Sequence, residues 1–324
     1  MIAPDTKFIS ACIREKAHEA GFDLYGFAPS AALTKNGVVL AEWARSGMNA
    51  RMTWLSHDIE KRTDPGMLLP GARSVIVTGL NYYTERKQGG NGIPLISKYA
   101  YGVDYHNVIM DKLGRVIDCI NDIHPGSTSK AFVDSAPVME KPWAERAGLG
   151  WQGRHSVLIN KTIGSFFFLG VIITDIELEY DVPSDEDHCG TCRSCIESCP
   201  VSAINDNRTI DARRCIAYHT IENKNPVPDD FRGKLQGFVF GCDICQDICP
   251  WNKIAKPHNT PEFEISPDLY RMNIDDWKNL QKPEFENLFK RSAIGRKKYD
   301  TFLKNVSIVT NGQSLEKNIN PSGK

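Results

Sequence analysis

The sequence predicts a multidomain protein of the α+β or α/β class, and this expectation rests on three observations. Helix and strand patterns are mixed over residues 1–175, a cysteine-rich run follows, and short amphipathic helices occupy the last part of the chain. A chain of 324 residues is long enough for two or three domains. We therefore divide it into an α/β domain over residues 1–178, a cysteine-rich domain over 179–255 and a small helical region over 256–324.

The first region alternates the periodicities of helices and strands. Amphipathic helices are predicted over residues 6–20, 33–46, 103–123 and 137–147. Strands are predicted over residues 22–27, 74–82 and 131–133, and a hairpin is predicted to join residues 157–160 to residues 166–173. Strands interspersed with helices in this way favour one α/β sandwich.

The later part of the chain has fewer strand signals. Residues 177–187 are acidic and include Pro183, which predicts a linker. After Trp251, short helices are predicted over residues 274–280, 283–289 and 295–309, and they resemble a HEAT-like repeat pair more than a domain with its own core. The polar tail beyond residue 311 is predicted to fray.

The composition excludes some classes of function. A net charge of −1 gives no global sign of a nucleic-acid partner, so any RNA contact would have to be local. The N-terminus lacks a secretory signal pattern, and the most apolar run, residues 166–174, is about half as long as a membrane-spanning helix. We therefore expect a cytoplasmic protein with no membrane association.

Eight of the ten cysteines lie in two related runs or between them. The first run, from Cys189 to Pro200, has the complete spacing C-x2-C-x2-C-x3-C-P of cluster-binding ferredoxins. The second run lacks its first cysteine, where Val239 stands, and Cys215 can supply the missing thiolate. The predicted ligands are Cys189, Cys192, Cys195 and Cys249 for one [4Fe–4S] cluster and Cys199, Cys215, Cys242 and Cys245 for the other.

Zinc sites and a disulfide framework are the alternatives to clusters at these cysteines. Structural zinc sites usually have two cysteine pairs separated by a longer spacer, and a third cysteine two residues after the second fits that geometry poorly. Disulfide frameworks are typical of small secreted domains. The remaining cysteines, Cys12 and Cys119, occupy apolar positions of predicted helices, which favours a packing role.

Outside the cysteines, one candidate site begins at Asp134. This acid follows a predicted strand, and the segment Gly148-Leu-Gly-Trp-Gln-Gly153 follows the next predicted helix. An α/β fold commonly has a site at such a position. The structural alternative is that Asp134 caps the helix and that the glycines terminate it. On spacing alone, both alternatives stay open.

The segment from Tyr99 to His106 is a second candidate because it combines aromatic side chains with a cation and a histidine. Its structural alternative is a strand end that leads into a helix capped by Asp104. The Asp104-x-His106 pair approaches the D-x-H-x-x-G pattern by which one class of proteins binds cobalamin through histidine, but Ile109 replaces the glycine. We therefore do not expect His106 to be an axial cobalt ligand.

A basic cluster lies near the C-terminus. Such a cluster is usually a solvated helix face, and its functional alternative is a set of contacts to phosphate groups. Its members are Lys290, Arg291, Arg296, Lys297 and Lys298.

Together these segments resemble the epoxyqueuosine reductase family. The resemblance spans about residues 5–310 and rests on residues 99–106, 133–142 and 148–155, on the paired cysteine runs, and on Cys215-Ile-Ala-Tyr-His-Thr-Ile-Glu222. It implies a cobalamin-binding α/β domain, a double-cluster ferredoxin-like domain and a small helical region. The implied activity converts the epoxide of a modified wobble base in tRNA into an alkene.

The implied mechanism uses base-off cobalamin. A cluster reduces it to cob(I)alamin, which attacks an epoxide carbon while Asp134 protonates the oxygen. For Asp134 to donate near neutral pH, we expect burial to raise its pKa. The residues expected to contact cobalamin are Asp134, Tyr99, Gly153, Ser156, Val157 and Leu158.

The resemblance also implies a tRNA anticodon stem-loop as partner, contacted by the basic cluster and by Tyr218. We expect a monomer that receives electrons from a low-potential donor. One alternative is a corrinoid enzyme similar to reductive dehalogenases, for which an exported twin-arginine signal would be expected and is missing. The other alternative is an electron carrier that holds clusters but no corrin.

Overall fold

The structure is a computed structural model that describes residues 5–88, 92–184, 186–231 and 233–316. The prediction that the tail frays from residue 311 is wrong as far as Glu316, because the last helix continues to that residue, and residues 317–324 lie outside the described residues. Strands are β1 (Leu24–Pro29), β2 (Ser74–Asn81), β3 (Leu95–Ile96), β4 (Ser129–Phe132), β5 (Trp151–Gln152), β6 (Leu158–Ile159), β7 (Phe167–Thr174) and β8 (Phe238–Phe240). The predicted mixture of helices and strands is confirmed.

Twelve α-helices lie within the described residues. They are α1 (Thr6–Glu19), α2 (Thr34–Arg45), α3 (Ile59–Thr63), α4 (Tyr105–Ile123), α5 (Glu140–Arg146), α6 (Ser194–Glu197), α7 (Ile216–Ile221), α8 (Ile244–Asp247), α9 (Pro267–Arg271), α10 (Ile274–Asn279), α11 (Lys282–Phe289) and α12 (Tyr299–Glu316). In the part of the chain that the structure describes, no helix has both the length and the apolar character needed to cross a membrane.

The main sheet is antiparallel and has the strand order β1-β2-β7-β4. Every residue of β2 is buried because helices cover both faces of the sheet. Alternate side chains of a strand point to opposite faces, so Ile76 packs with the core side chains of α1 and α4, whereas Val75 packs with Trp143 of α5. This three-layer core fixes β4, and therefore the loop after it, against the start of α4.

The predicted hairpin between residues 157–160 and 166–173 is wrong. Strand β6 pairs with β5, and β7 pairs with β2 and β4. Only an isolated bridge between Asn160 and Gly164 remains of the predicted connection. The physical reason is that β7 is a long apolar strand, and an interior position beside the eight-residue β2 buries it far better than the two-residue β6 could.

The C-terminal helices share a core with the region of the cysteines. Trp277, Phe289 and Phe302 are buried against Phe238 and Phe240 of β8. This agrees with the expectation that these helices lack a core of their own. The third of them begins at Tyr299 instead of residue 295, because residues 293–296 form a 3-10 helix and Lys297 is extended.

Candidate active site and cluster cavities

A cavity of about 820 Å³ is bordered by residues from widely separated parts of the chain. Its lining residues come from the segment before α3, the start of α4, the loop after β4, the end of α7 and the start of α12. They include Trp54, Arg62, Tyr99, Tyr105, His106, Asp134, Glu222, Lys224, Phe240, Arg296, Lys297 and Lys298. The cavity therefore joins Asp134, Tyr99 and part of the basic cluster, which the sequence had suggested separately.

Asp134 lies on the cavity wall directly after β4. Its φ of +52° is in the left-handed region, which aspartate tolerates better than most residues. Its side chain is 64% exposed, and Oδ2 accepts a hydrogen bond from the Tyr105 hydroxyl at 2.8 Å. Helix α5 begins only at Glu140, and its N-cap residue Met139 makes no side-chain cap. The alternative that Asp134 caps this helix is therefore excluded.

His106 connects Asp134 to two further charged groups. Its Nδ1 lies 2.8 Å from Oδ1 of Asp104, and its Nε2 lies 3.2 Å from Oδ2 of Asp134. Arg296 approaches from the C-terminal region, with Nη2 at 2.6 Å from Oδ2 of Asp104 and Nη1 at 3.3 Å from His106 Nε2. Asp104 also caps α4, as predicted, by accepting from the His106 amide. Both ring nitrogens of His106 face carboxylates, which supports the expectation that this side chain is not an axial ligand.

These hydrogen bonds determine which group of the pair holds a proton. Desolvation lowers the pKa of His106, but hydrogen bonds to Asp104 and Asp134 outweigh it and raise the pKa overall. Desolvation raises the pKa of Asp134, but hydrogen bonds from His106 and Tyr105 outweigh it and lower the pKa overall. The expectation that burial raises the pKa of Asp134 is therefore wrong for this structure. The proton of the pair is on His106, and Asp134 carries the negative charge.

Glu140 is a second acid close to this network. Its Oε1 is buried and has no hydrogen-bond partner among the described residues. Desolvation raises its pKa to about 8, and the negative charge of Asp134 adds to that shift. Arg62 and Lys141 supply opposing positive charge. At neutral pH, Glu140 is therefore mainly uncharged.

The other residues that we expected to contact cobalamin are divided between two places. Tyr99 lines the cavity, with its ring 6.0 Å from that of Phe240 and 6.1 Å from that of Tyr105. Residues 153–158 do not appear in the lining of this cavity. They form the turn between β5 and β6, where Ser156 has a φ of +64° and its carbonyl oxygen accepts from Nζ of Lys141. Gly153, Val157 and Leu158 lie in the same turn or at its strand end.

The basic cluster is also divided. Arg296, Lys297 and Lys298 line the cavity, and Lys290 and Arg291 are exposed outside its lining. Lys297 anchors the end of α7, because Nζ donates to the carbonyl oxygens of Ile221 and Asn223 at 2.7 and 3.1 Å. Tyr218 is only 7% exposed, and its hydroxyl accepts from the Arg51 amide at 3.3 Å, so it does not line the cavity.

Four cysteines surround each of two further cavities, in the grouping that the spacing predicts. Cys189, Cys192, Cys195 and Cys249 line a cavity of about 250 Å³, and Cys199, Cys215, Cys242 and Cys245 line one of about 50 Å³. Apolar side chains complete the second cavity, among them Ile204, Ile216 and Ile244. Four convergent thiols in an apolar setting are the donor set of a [4Fe–4S] cluster.

The first of these cavities, which we call cavity 1, also offers hydrogen-bond donors to a bound group. His155 is buried, and its Nδ1 accepts from the Val157 amide, so the hydrogen is on Nε2, which has no partner among the described residues. Nε of Arg154, which lines the same cavity, is also buried without a partner within the described ranges. Donors of this kind fit the sulfide acceptors of an iron–sulfur cluster.

The second cavity, which we call cavity 2, adjoins the large cavity. Phe240 lines the large cavity, and Gly241 and the ligand candidate Cys242 follow it directly. A Cβ at Gly241 would lie 3.4 Å from the Tyr99 ring, which shows how closely the two cavities approach each other.

All ten cysteines are free, and Cys12 and Cys119 line a separate groove between α1 and α4.

Several residues of the site could not have been identified from the sequence. Arg296 was identifiable only as part of a basic run, and its contact with Asp104 depends on the fold. Trp54 and Arg62 belong to a segment without any distinctive motif. The pair Asp104 and His106 did carry a signal, since an acid and a histidine two residues apart at a helix start can share a hydrogen bond.

Comparisons with known proteins agree with this arrangement. A family model described as "4Fe-4S double cluster binding domain" matches residues 188–252. A model described as "Epoxyqueuosine reductase QueG, DUF1730" matches residues 62–135, which end just after Asp134. The first match supports iron–sulfur clusters over the zinc and disulfide alternatives.

The chain is similar over most of its length to proteins of one kind. An epoxyqueuosine reductase from Cyclobacterium marinum is 43% identical over 304 residues, which is 93% of this chain and 97% of that protein. A crystal structure of selenomethionine-labelled epoxyqueuosine reductase matches with a TM-score of 0.85 and 28% identity, covering 94% of this chain and 83% of that one. An epoxyqueuosine reductase crystallised with a tRNA-Tyr epoxyqueuosine-modified stem loop also has a TM-score of 0.85 and 28% identity, covering 92% of this chain and 79% of that one.

Proposed function

The chain belongs to the epoxyqueuosine reductase family, and from this premise we propose that it reduces epoxyqueuosine to queuosine at the wobble position of tRNA. The observation that carries the proposal is the pairing of Asp134 with the proton-holding His106 on the wall of a cavity that adjoins a four-thiol site. The net reaction adds two electrons and two protons to the epoxide and releases its oxygen as water. The protein must therefore provide both a proton path and an electron path to one place.

Cobalamin is a suitable cofactor for the large cavity. The volume of about 820 Å³ is typical of cofactor sites, and Tyr99, Tyr105 and Phe240 give it aromatic walls. When bound, cobalamin supplies the reducing nucleophile that opens the epoxide. Tyr99 and Asp134 would hold it within the cavity, and the turn of residues 153–158 remains our proposed site for its more remote parts. Since His106 is hydrogen-bonded through both nitrogens, we propose the base-off form without a histidine ligand.

The proton path runs through the network around Asp134. His106 transfers its proton to Asp134 through the contact of 3.2 Å, and Asp134 passes this proton to the epoxide oxygen. Asp104 orients His106 and stabilises its positive charge. Arg296 holds Asp104, but its own positive charge lowers the pKa of His106. Tyr105 fixes the second side of the Asp134 carboxylate. The pair therefore keeps a proton beside the substrate although Asp134 itself is ionised in the described state.

The electron path is provided by the two cysteine quartets. Cavity 2 adjoins the large cavity through Phe240 and Cys242, so Cys199, Cys215, Cys242 and Cys245 would hold a cluster that could supply electrons to the site. Cys189, Cys192, Cys195 and Cys249 of cavity 1 would hold the second cluster, which could accept electrons from a low-potential donor. Cys199 belongs to the first run but lines cavity 2, and Cys249 belongs to the second run but lines cavity 1, which keeps the two clusters close together.

The charge of the cavity suits an RNA substrate. Among the described residues, five lysine and arginine side chains line it besides the proton-holding His106, namely Arg62, Lys224, Arg296, Lys297 and Lys298, against two acidic ones, Asp134 and Glu222. This local excess contrasts with the net charge of −1 of the whole chain. We propose that Lys298 and Lys224, with the outlying Lys290 and Arg291, contact phosphates of the anticodon stem-loop while the modified base enters the cavity.

Reconstitution separates this proposal from the two alternatives. The protein is loaded anaerobically with iron, sulfide and cobalamin, reduced, and incubated with tRNA that contains epoxyqueuosine or with a halogenated phenol. We expect queuosine in the digested tRNA and no dehalogenated product. Dehalogenation without queuosine would favour the dehalogenase-like alternative. Loaded clusters without any bound corrin would favour the electron carrier.

A further inference from the structure

Trp54 is an exposed aromatic residue on the wall of the large cavity. Its exposed fraction is 46%, which is high for a residue that is usually mostly buried, and it lines the same cavity as Asp134. It belongs to a short 3-10 helix, Thr53–Leu55, between α2 and α3. None of the steps proposed for the reaction uses this side chain.

The backbone that holds Trp54 is fixed on two sides. Nη2 of Arg62 donates to the Trp54 carbonyl oxygen at 2.8 Å. On the other side, the Arg51 amide donates to the Tyr218 hydroxyl at 3.3 Å. An exposed indole on an anchored backbone loses little conformational freedom when a flat group stacks on it.

The surroundings of Trp54 indicate the chemistry of that flat group. Cationic side chains line the same cavity as the indole, including Arg62, Lys224 and Lys298, and these attract a polyanion. Proteins that read single-stranded RNA combine a basic surface with exposed aromatic rings on which unpaired bases stack. An anticodon loop offers several unpaired bases beside its wobble position.

We propose that Trp54 is a stacking platform for an unpaired base of the anticodon loop that lies next to the modified nucleoside. The proposal rests on the proposed function, because it assigns a role in holding that RNA substrate. In this proposal Trp54 contributes to RNA binding, whereas Asp134 and His106 transfer the proton. The base that stacks there would also limit how the modified nucleoside can enter the cavity.

The test is a binding titration of the cobalamin- and cluster-loaded protein with an unmodified anticodon stem-loop RNA. Removal of a stacked aromatic residue typically weakens RNA binding by about 5- to 150-fold. We expect Trp54→Ala to raise Kd by about tenfold or more and Trp54→Tyr to stay within a few-fold of wild type. The slope of log Kd against log salt should be unchanged in Trp54→Ala, because no phosphate contact is lost. Tyr270→Ala is the matched control, since Tyr270 is 49% exposed and lies outside the cavity lining.

Cobalamin affinity, measured on the same variants without RNA, separates stacking on RNA from contact with the cofactor. We expect Trp54→Ala to bind cobalamin as the wild type does. Equal RNA affinity of Trp54→Ala and wild type would overturn the role of Trp54 and leave the proposed function standing. A loss of cobalamin affinity without a loss of RNA affinity would assign Trp54 to the cofactor. Failure of the wild type to bind the stem-loop would overturn both proposals.

Discussion

Nε2 of His106 lies 3.2 Å from Oδ2 of Asp134, and this contact joins the start of α4 to the loop after β4. The two residues shift each other's pKa in opposite directions, up for His106 and down for Asp134. We propose that the pair acts as one acid, in which His106 holds the proton that Asp134 passes to the substrate. This storage is the reason that an ionised Asp134 can still serve as the donor in the proposed reaction.

Replacement of His106 should affect both the rate and its dependence on pH. His106→Gln keeps hydrogen-bonding groups but cannot carry a positive charge, so we expect turnover to fall by about 100-fold, within the range usual for general acid catalysis. In the wild type, activity should fall as pH rises through the raised pKa of His106, because the stored proton is then lost. The variant should lack this alkaline limb. A pH–rate profile with the same limb in both proteins would contradict the role of His106 as a proton store.

Cys215 tests the assignment of the cluster ligands. It lines cavity 2 although it lies outside both runs, so Cys215→Ser should disturb that cluster alone. We expect iron to fall from about eight atoms per chain to between about four and seven, and we expect the magnetic coupling between the reduced clusters to disappear. Cys119→Ser is the control and should keep all the iron, since Cys119 lies in the groove between α1 and α4. Full iron with intact coupling in Cys215→Ser would refute the assignment.

Lys98 forms a buried ion pair beside the second cysteine run. Its Nζ lies 2.6 Å from Oδ1 of Asp247 and 3.5 Å from Oδ2 of Asp243, and the side chains of Lys98 and Asp243 are each 4% exposed. Lys98→Met removes the cation beside the buried Asp243 carboxylate, which keeps only its hydrogen bonds from the Ser97 hydroxyl and the backbone amide of residue 98. We therefore expect the free energy of unfolding to fall by about 3 kcal/mol. The measurement is anaerobic denaturant unfolding of the loaded protein.

The control for Lys98 is the exposed pair of Arg115 and Asp111, whose side chains are 58% and 65% exposed. Exposed pairs contribute about 0.5 kcal/mol or less, so Arg115→Met should change the free energy of unfolding by no more than that. Equal effects of the two substitutions would show that the buried pair contributes no more than an exposed one.

Glu140 should make stability depend on pH. Its pKa is about 8 in the folded protein against an ordinary value of 4.5, mainly because of desolvation. Between these values the unfolded chain releases the proton and the folded chain keeps it, so the free energy of unfolding falls as pH rises. Glu140→Gln removes this contribution, and its stability relative to wild type should therefore increase from about pH 5 to about pH 8.

Denaturant unfolding at several pH values measures this difference, with the exposed Glu85→Gln as the control for the charge change. A constant difference between Glu140→Gln and wild type across that range would contradict the raised pKa of Glu140. Loss of the buried carboxyl is not expected to alter the iron content, because Glu140 does not line either cysteine cavity.

The cysteine groups and the position of Asp134 could be predicted because short-range spacing determines them. Three cysteines at a three-residue period, Cys189, Cys192 and Cys195, converge on one compact group, and the ferredoxin pattern adds the fourth ligand from the other run. An acid directly after a strand stays at the end of the sheet. The ferredoxin pattern also predicts that the last cysteine of each run, Cys199 or Cys249, lines the cavity formed mainly by the other run.

Other features depend on contacts between distant parts of the chain and could not be predicted. Arg296 is 190 residues from His106 in the sequence, yet their side chains lie 3.3 Å apart. The sign of the pKa shift of Asp134 depends on whether desolvation or hydrogen bonding is larger, and the hydrogen bonds come from α4. The wrong hairpin has a similar cause, because β7 pairs with β2 and β4 instead of with its nearest neighbour in sequence.

The turnover of Asp134→Asn tests the proposed proton delivery most directly. The wild type and the variant are loaded with clusters and cobalamin, reduced anaerobically and mixed with epoxyqueuosine-containing tRNA, and queuosine is measured in the digested RNA. We predict about eight irons and bound cobalamin in both proteins, with formation of queuosine at least about 100-fold slower in the variant. Formation of queuosine at the wild-type rate by a fully loaded Asp134→Asn protein would contradict the central claim that Asp134 delivers the proton.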